Sequence, residues 1–209
     1  MQRVKNIIFD LGGVLVGLDG QRCIEAFNRL GCQAVSRYVE DHRTEDLFYR
    51  IELGLISTQE FCQEIRLMTH TAASDQQLVH AWNELLTELS SRRRQRLISL
   101  HRQGYRLFLL SNTNDMHWQH CRQQLFGPDV IAIFERIFLS YEMQLSKPAP
   151  AIFTSVLSQA ALQPEETLFI DDNRQNIEAA AALGIGTYHN TSIDDWVDAL
   201  QIENGKLNF

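Results

Sequence analysis

Five short runs of residues constrain this chain more than any other feature. Residues 6–10 (Asn-Ile-Ile-Phe-Asp) form the first, and Tyr105–Ser111, Arg136–Ser140, Thr167–Asp172 and Gly186–His189 follow. A strand wetted on one face alternates apolar and polar residues. Runs without that alternation suit the strands of a parallel sheet covered on both sides. Helical patterns lie between them. Arg92–Gln103 places Leu97, Ile98 and Leu100 on one face and stops at Gly104. Ala149–Leu162 carries Ile152, Phe153, Val156 and Leu157, while the Ala-rich Asn173–Leu183 stops at Gly184. Alternating strand and helix predicts an α/β fold, a parallel sheet with helices on both faces.

Residues 17–91 break that rhythm, with no convincing strand. Gln21–Leu30, Val35–His42, Thr44–Leu53, Thr58–Thr69 and Asp75–Leu89 read as amphipathic helices, punctuated by Gly31, Gly54 and Ser57. Ser57 with Glu60 predicts a capping box, and Ser74 a further helix cap. The expected organisation is a core of residues 1–16 and 92–209 with an inserted all-helical unit at 17–91. The linkers fall near Val16–Gly20 and Ser90–Arg92.

The 209 residues are 44% hydrophobic and 22% charged, enough apolar material to fill a core, which excludes a disordered chain. The net charge of −7 argues against a nucleic-acid partner. No apolar stretch reaches the length of a signal peptide or a membrane span, so no membrane role is expected. The four cysteines, Cys23, Cys32, Cys62 and Cys121, contain no CxxC pair and read as reduced thiols of a cytoplasmic protein. The sequence carries no signal of oligomeric state.

The polar residues that matter stand at strand ends. Asp10 closes the first run, Ser111 the second, Lys147-Pro148 follows the third, and Asp171 and Asp172 close the fourth. Open parallel sheets bind ligands at the carboxyl ends of their strands. Carboxylates gathered there cannot all stay ionised without a cation. A hard oxygen donor set with no His or Cys points to Mg²⁺.

FDLGGVLV at 9–16, LLSNTN at 109–114, LSKPAPAIF at 145–153 and FIDDNRQNIEAA at 169–180 resemble, in order and spacing, the four motifs of haloacid dehalogenase-like (HAD) phosphatases. The first motif is most similar to those of small bacterial sugar-phosphate phosphatases of the α-glucose-1-phosphate type. The resemblance implies a Rossmann-like core, with 17–91 as the helical cap inserted after the first motif. It implies hydrolysis of a small phosphorylated metabolite through an aspartyl-phosphate. Asp10 would be the nucleophile, and Lys147 would neutralise charge on nucleophile and phosphate. Ser111 and a neighbouring N–H, that of Asn112, would bind the phosphoryl group. Asp10, the Gly12 carbonyl and Asp172 would hold Mg²⁺, with Asp171 binding it directly or through water. Asn176 would tie down the loop after the carboxylates.

One position departs from the pattern. The family's phosphatases usually carry a second Asp two residues after the nucleophile, as general acid for the leaving alcohol, and here that residue is Gly12. Three readings are open. A cap residue or the substrate supplies the proton; the leaving group needs little help; or the protein binds a phosphorylated metabolite or a partner without efficient turnover. Asp19 and Asp46 are the cap-side carboxylates that qualify as replacement acids. Restoring the acid by Gly12→Asp is expected to favour substrates with basic leaving groups. His117, just after the Ser-Asn-Thr-Asn stretch, is a further candidate for the crevice. The spacing of His117, His120 and Cys121 lacks a fourth ligand and reads as packing. Phe48, Tyr49 and Trp82 read as cap core, and Arg92, Arg93, Arg94 and Arg96 as a solvated helix face.

Overall fold

The computed structural model describes residues 4–35, 47–203 and 206–208. Five parallel strands form its centre: β1 (Asn6–Phe9), β2 (Arg106–Ser111), β3 (Phe134–Leu139), β4 (Thr167–Asp171) and β5 (Gly186–His189), in the order β3-β2-β1-β4-β5. The chain runs outward from β1 through β2 to β3, then returns to β1's other side for β4 and β5. The reversal lies beside β1, so the crevice of this topology opens where β1 and β4 end.

The apolar runs are continuous because their alternate residues feed two different cores. Ile7, Phe9, Leu107, Leu109, Leu168 and Ile170 pack on one face with Leu97, Leu100, Trp118 and Trp196. Ile8, Phe108, Leu110 and Phe169 pack on the other with Ile152, Phe153, Val156 and Ala180. The helices that cover the sheet include α5 (Ser91–Arg102), α9 (Pro150–Gln159) and α10 (Arg174–Ala181). The outer strands are wetter than the sequence pattern suggests. Glu135 is exposed on β3 and His189 on β5, as edge positions allow.

Between β1 and β2 lie α1 (Gly20–Arg29), α2 (Leu47–Glu52), α3 (Thr58–Thr69) and α4 (Asp75–Asn83). Both expected caps form, and each is a full capping box: Ser57 with Glu60, and Ser74 with Gln77. These helices bury their own cluster, in which Phe27, Phe48 and Phe61 surround Trp82. Most of the expected Val35–His42 helix and the start of Thr44–Leu53, with Asp46, lie outside the described residues. The expected Asp75–Leu89 helix ends early, at Asn83. Past that point the chain pairs with the outgoing connection: Asp19 donates to the Leu85 carbonyl (2.7 Å) and Thr87 to that of Gly17 (2.9 Å).

α6 (Asp115–His120) follows β2 and leads through a π-helical turn (Cys121–Phe126) into α7 (Gly127–Ile131). α8 (Ser140–Met143) follows β3, and α11 (Asp195–Ala199) precedes an antiparallel pair, β6 (Gln201–Glu203) and β7 (Lys206–Asn208). The arginine run is not a solvated stripe. Successive helix positions point about 100° apart, so its members take separate partners. Arg92 pairs with Asp198 and Arg94 with Asp129, while Arg93 is buried and donates to Ser90 Oγ and the Glu88 carbonyl. The four cysteines are free and buried, with burial pushing the thiols of Cys23 and Cys121 up to about 12. No helix among the described residues is long and apolar enough to cross a membrane.

Phe153 is buried edge-on against Phe169, 5.4 Å between ring centres. Phe153→Ala is expected to destabilise the protein by about 3–5 kcal/mol, since the cavity adds to the lost transfer energy. Urea unfolding checks this through a lowered midpoint at unchanged slope.

Candidate active site

The sheet order sets the site. β1 runs between β2 and β4, so Asp10 emerges between Ser111 and Asp171. Lys147 enters from the segment between α8 and α9. Its side chain is 1% exposed, and its Nζ lies 2.8 Å from Asp10 Oδ1, 2.6 Å from Asp171 Oδ2 and 3.1 Å from the Leu110 carbonyl. An ammonium has three N–H donors, and here each has an acceptor. Burial works to lower the Lys147 pKa, but Asp10 and Asp171 outweigh it and the net shift is upward, so the charge is locked in.

Asp10 Oδ1 also accepts the Leu11 N–H at 2.7 Å, and neither bond falls on Oδ2. Burial pushes its carboxyl up to about 7, helped by Asp171 and opposed by Lys147. Asp171 is fully buried and engaged on both oxygens. Oδ1 accepts from Asn173 N and Asn176 Nδ2, and Oδ2 from Lys147 and Asn176. Asn176 thus holds a carboxylate as well as its loop. Asp172 is exposed at the mouth, its pKa raised by partial burial and by Asp171. Carboxylate oxygens of Asp10, Asp171 and Asp172 all lie within 4.8 Å of one another.

Ser111 is buried at the end of β2, its hydroxyl a long 3.4 Å from the Asn112 carbonyl. The Asn112 side chain clamps the lysine segment, donating to the Lys147 carbonyl (2.8 Å) and accepting from the Lys147 N–H (2.9 Å). Gly12 lies in the turn after β1 and bridges to Val16. It has no left-handed backbone requirement, but it is not a vacancy. A Cβ there would meet the Leu18 side chain at 3.1–3.4 Å, and Leu18 is itself 52% exposed. Asp19 is committed as the cap of α1, where it accepts the Arg22 N–H.

Two supports escaped the sequence reading. Gly13 (φ 70°) sits where any Cβ would collide with the Asp172 carboxylate, so the second glycine of the pair admits that side chain. Asn190 donates to the Gly13 carbonyl and Trp196 Nε1 to that of Val14, which fixes the turn from behind. The Gly-Gly pair signalled the first; the second joins residues with no common pattern.

His117 does not face the carboxylates. Its ring stacks on Trp82 at 4.6 Å, and Nε2 lies 3.2 Å from the Trp82 carbonyl. Nδ1 lies 3.4 Å from Asn114 Nδ2. A neutral ring protonated on Nε2 satisfies both contacts. Burial and the nearby His120 outweigh the Trp82 carbonyl and depress its pKa to about 4, against an ordinary 6.5. The unfolded chain therefore binds the extra proton first. His117 by itself should cost stability as pH drops from about 6.5 towards 4, by up to about 3 kcal/mol, while Asp10, raised to about 7, works in the opposite sense. Chemical denaturation across that range should show the wild type losing stability relative to His117→Gln as pH falls, since the Asp10 contribution is common to both.

The family model of haloacid dehalogenase-like hydrolases matches residues 4–184. D-ribitol-5-phosphate phosphatase of Bacteroides thetaiotaomicron is 30% identical over 203 residues, covering 95% of this chain and 98% of its own. A HAD-family enzyme from Bacteroides thetaiotaomicron, crystallised with magnesium and inorganic phosphate, superposes with a TM-score of 0.89 at 39% identity. That match covers 95% of this chain and all of the other. A HAD-like hydrolase from Porphyromonas gingivalis gives a TM-score of 0.86 at 33% identity, covering 94% and 96%.

Proposed function

The chain belongs to the haloacid dehalogenase-like hydrolase family, and from that premise we propose that it is a Mg²⁺-dependent phosphatase acting on a small phosphorylated metabolite. The observation that carries this reading is the buried Lys147 ammonium between Asp10 and Asp171, with Asp172 at the mouth. The donor set fits a magnesium ion. Three carboxylates against one ammonium leave two negative charges, and every side-chain donor is a hard oxygen. With the oxygens of Asp171 already engaged, Asp10, Asp172 and the Gly12 carbonyl are the direct ligands in this reading. Asp171 then acts through water and through Lys147. When bound, Mg²⁺ supplies positive charge that offsets charge on the phosphoryl oxygens.

The protein's own groups do the rest. The Asp10 carboxylate attacks phosphorus, and the bond from phosphorus to the alcohol oxygen breaks. Lys147 holds Asp10 in place and lowers the repulsion between carboxylate and phosphate. The Ser111 hydroxyl and the Asn112 N–H take phosphoryl oxygens. Water then attacks the aspartyl-phosphate at phosphorus, the bond to Asp10 breaks, and inorganic phosphate leaves. Residues 17–91 serve as the cap, with 1–16 and 92–209 as the core.

The name of the Bacteroides relative supports a polyol or sugar phosphate as substrate. Ribitol 5-phosphate is a primary alkyl ester with a poor leaving group, so tolerance of a good leaving group alone does not account for Gly12. The proton for the alcohol then comes from a cap-side group, from water or from a hydroxyl of the substrate. No observation favours the impaired binder, since every charged group named for turnover is assembled.

Asp10→Asn is expected to keep the fold and lose turnover, leaving below about 1% of wild-type activity. EDTA should silence the wild type, and excess Mg²⁺ should restore it. Phosphate release from p-nitrophenyl phosphate and from ribitol 5-phosphate measures both, and full activity in EDTA would exclude the metal.

Gly12→Asp alone is expected to gain nothing, because the new side chain meets Leu18. Combined with Leu18→Ala it should raise kcat/KM on a primary alkyl phosphate by about tenfold over the single variant. p-Nitrophenyl phosphate, whose leaving group departs unprotonated, should change little. Equal values for the single and double variants would rule out Leu18 as the obstacle.

A further inference from the structure

Two distant backbone segments meet on one buried hydroxyl. Ser140, the first residue of α8, is fully buried. Its Oγ accepts the Thr113 N–H at 2.9 Å, and it lies 2.6 Å from the Glu52 carbonyl and 3.0 Å from the Thr113 carbonyl. A serine hydroxyl has one hydrogen, so it serves one carbonyl at a time. The shorter contact assigns it to Glu52. Close by, Gly54 (φ 64°) lies against the Tyr141 carbonyl, where any Cβ would collide. The end of α2 is therefore seated on Ser140–Tyr141. Thr113 belongs to the Ser111–Asn114 turn, whose Asn112 clamps Lys147.

We infer that Ser140 is a positioning residue that ties the docked helical unit to the turn assigned to phosphate binding. The inference rests on the phosphatase reading. With the unit seated, the hydroxyl gives its hydrogen to Glu52 and offers a lone pair to Thr113. With Glu52 withdrawn, the hydrogen turns to the Thr113 carbonyl, and the turn, now held by Ser140 alone, loses its link to the helical unit. Phosphate is then held tightly only while the helical unit is docked.

The test measures binding of inorganic phosphate, by calorimetry with Mg²⁺ present, beside KM and kcat for p-nitrophenyl phosphate. In Ser140→Ala the phosphate Kd and the KM are expected to rise about tenfold, the worth of one buried hydrogen bond. The Mg²⁺ concentration for half-activation should stay unchanged. Ser140→Cys refills the volume with a weak donor and should resemble Ala; recovery of wild-type binding by Cys would reduce the role to packing and overturn the proposal. Gly54→Ala, which leaves Ser140 intact but lifts α2 from Tyr141, should weaken phosphate in the same direction. It also carries the test, with Ser140→Cys, if Ser140→Ala fails to fold. A phosphate Kd within twofold of wild type in a folded Ser140→Ala would overturn the tether, as would equal weakening of phosphate and Mg²⁺. A wild type that binds phosphate without turnover would sink the phosphatase reading alone, and the binding comparison would still decide Ser140. A wild type that neither binds nor turns over would sink both.

Discussion

A charged amine held out of water needs partners on every side, and Lys147 has them: two carboxylates, a carbonyl, and the face of Phe169 5.5 Å away. Removing the ammonium would leave two buried carboxylates facing each other unmatched, a far greater loss than the pair's net worth. The architecture reads as the means of satisfying this ion. β1 and β4 must be neighbours to bring Asp10 and Asp171 to it. Asn112 must clamp its backbone, and Asn176 must hold Asp171 in register. A sheet of another order would not bring these carboxylates together.

The same economy appears around the turn after β1. Asp172 occupies the space that a side chain at 13 would take, and Asn190 and Trp196 hold the turn from the far side. The segment from Asn190 to Trp196 thus supports the site without contributing a reacting group. Trp196 also packs edge-on against Phe9, 5.0 Å between ring centres, which couples this support to the strand that delivers Asp10.

Much of this was legible in the residues. The strands announced themselves because burial on both faces leaves no room for polar alternation, and Asp10, Lys147, Asp171 and Asp172 stood at their ends. What stayed hidden depends on contacts between distant residues. Nothing about Ser140 marks it as a bridge between Glu52 and Thr113. Gly12 was legible as a missing acid, but sequence cannot show that Leu18 lies against it. His117 looked like a neighbour of the crevice by spacing alone. The helix turns its ring to Trp82 instead, so the residue belongs to packing. The arginine run misled for the opposite reason: similar residues in a row suggested one environment, and helical geometry gave Arg92, Arg93 and Arg94 different ones.

The paired connections at 17–19 and 85–87 bear on how such a chain finds its fold. The parallel pairing of Asn6 with Arg106 spans 100 residues, and closing so long a loop is slow. The intervening helices bury a cluster largely of their own, and their two ends hydrogen-bond to each other. Once that unit has formed, the loop that remains to be closed is only the short lengths of chain flanking it. An early-folding insertion thereby turns a distant strand pairing into a nearly local one, and the length of the insertion ceases to matter to the sheet.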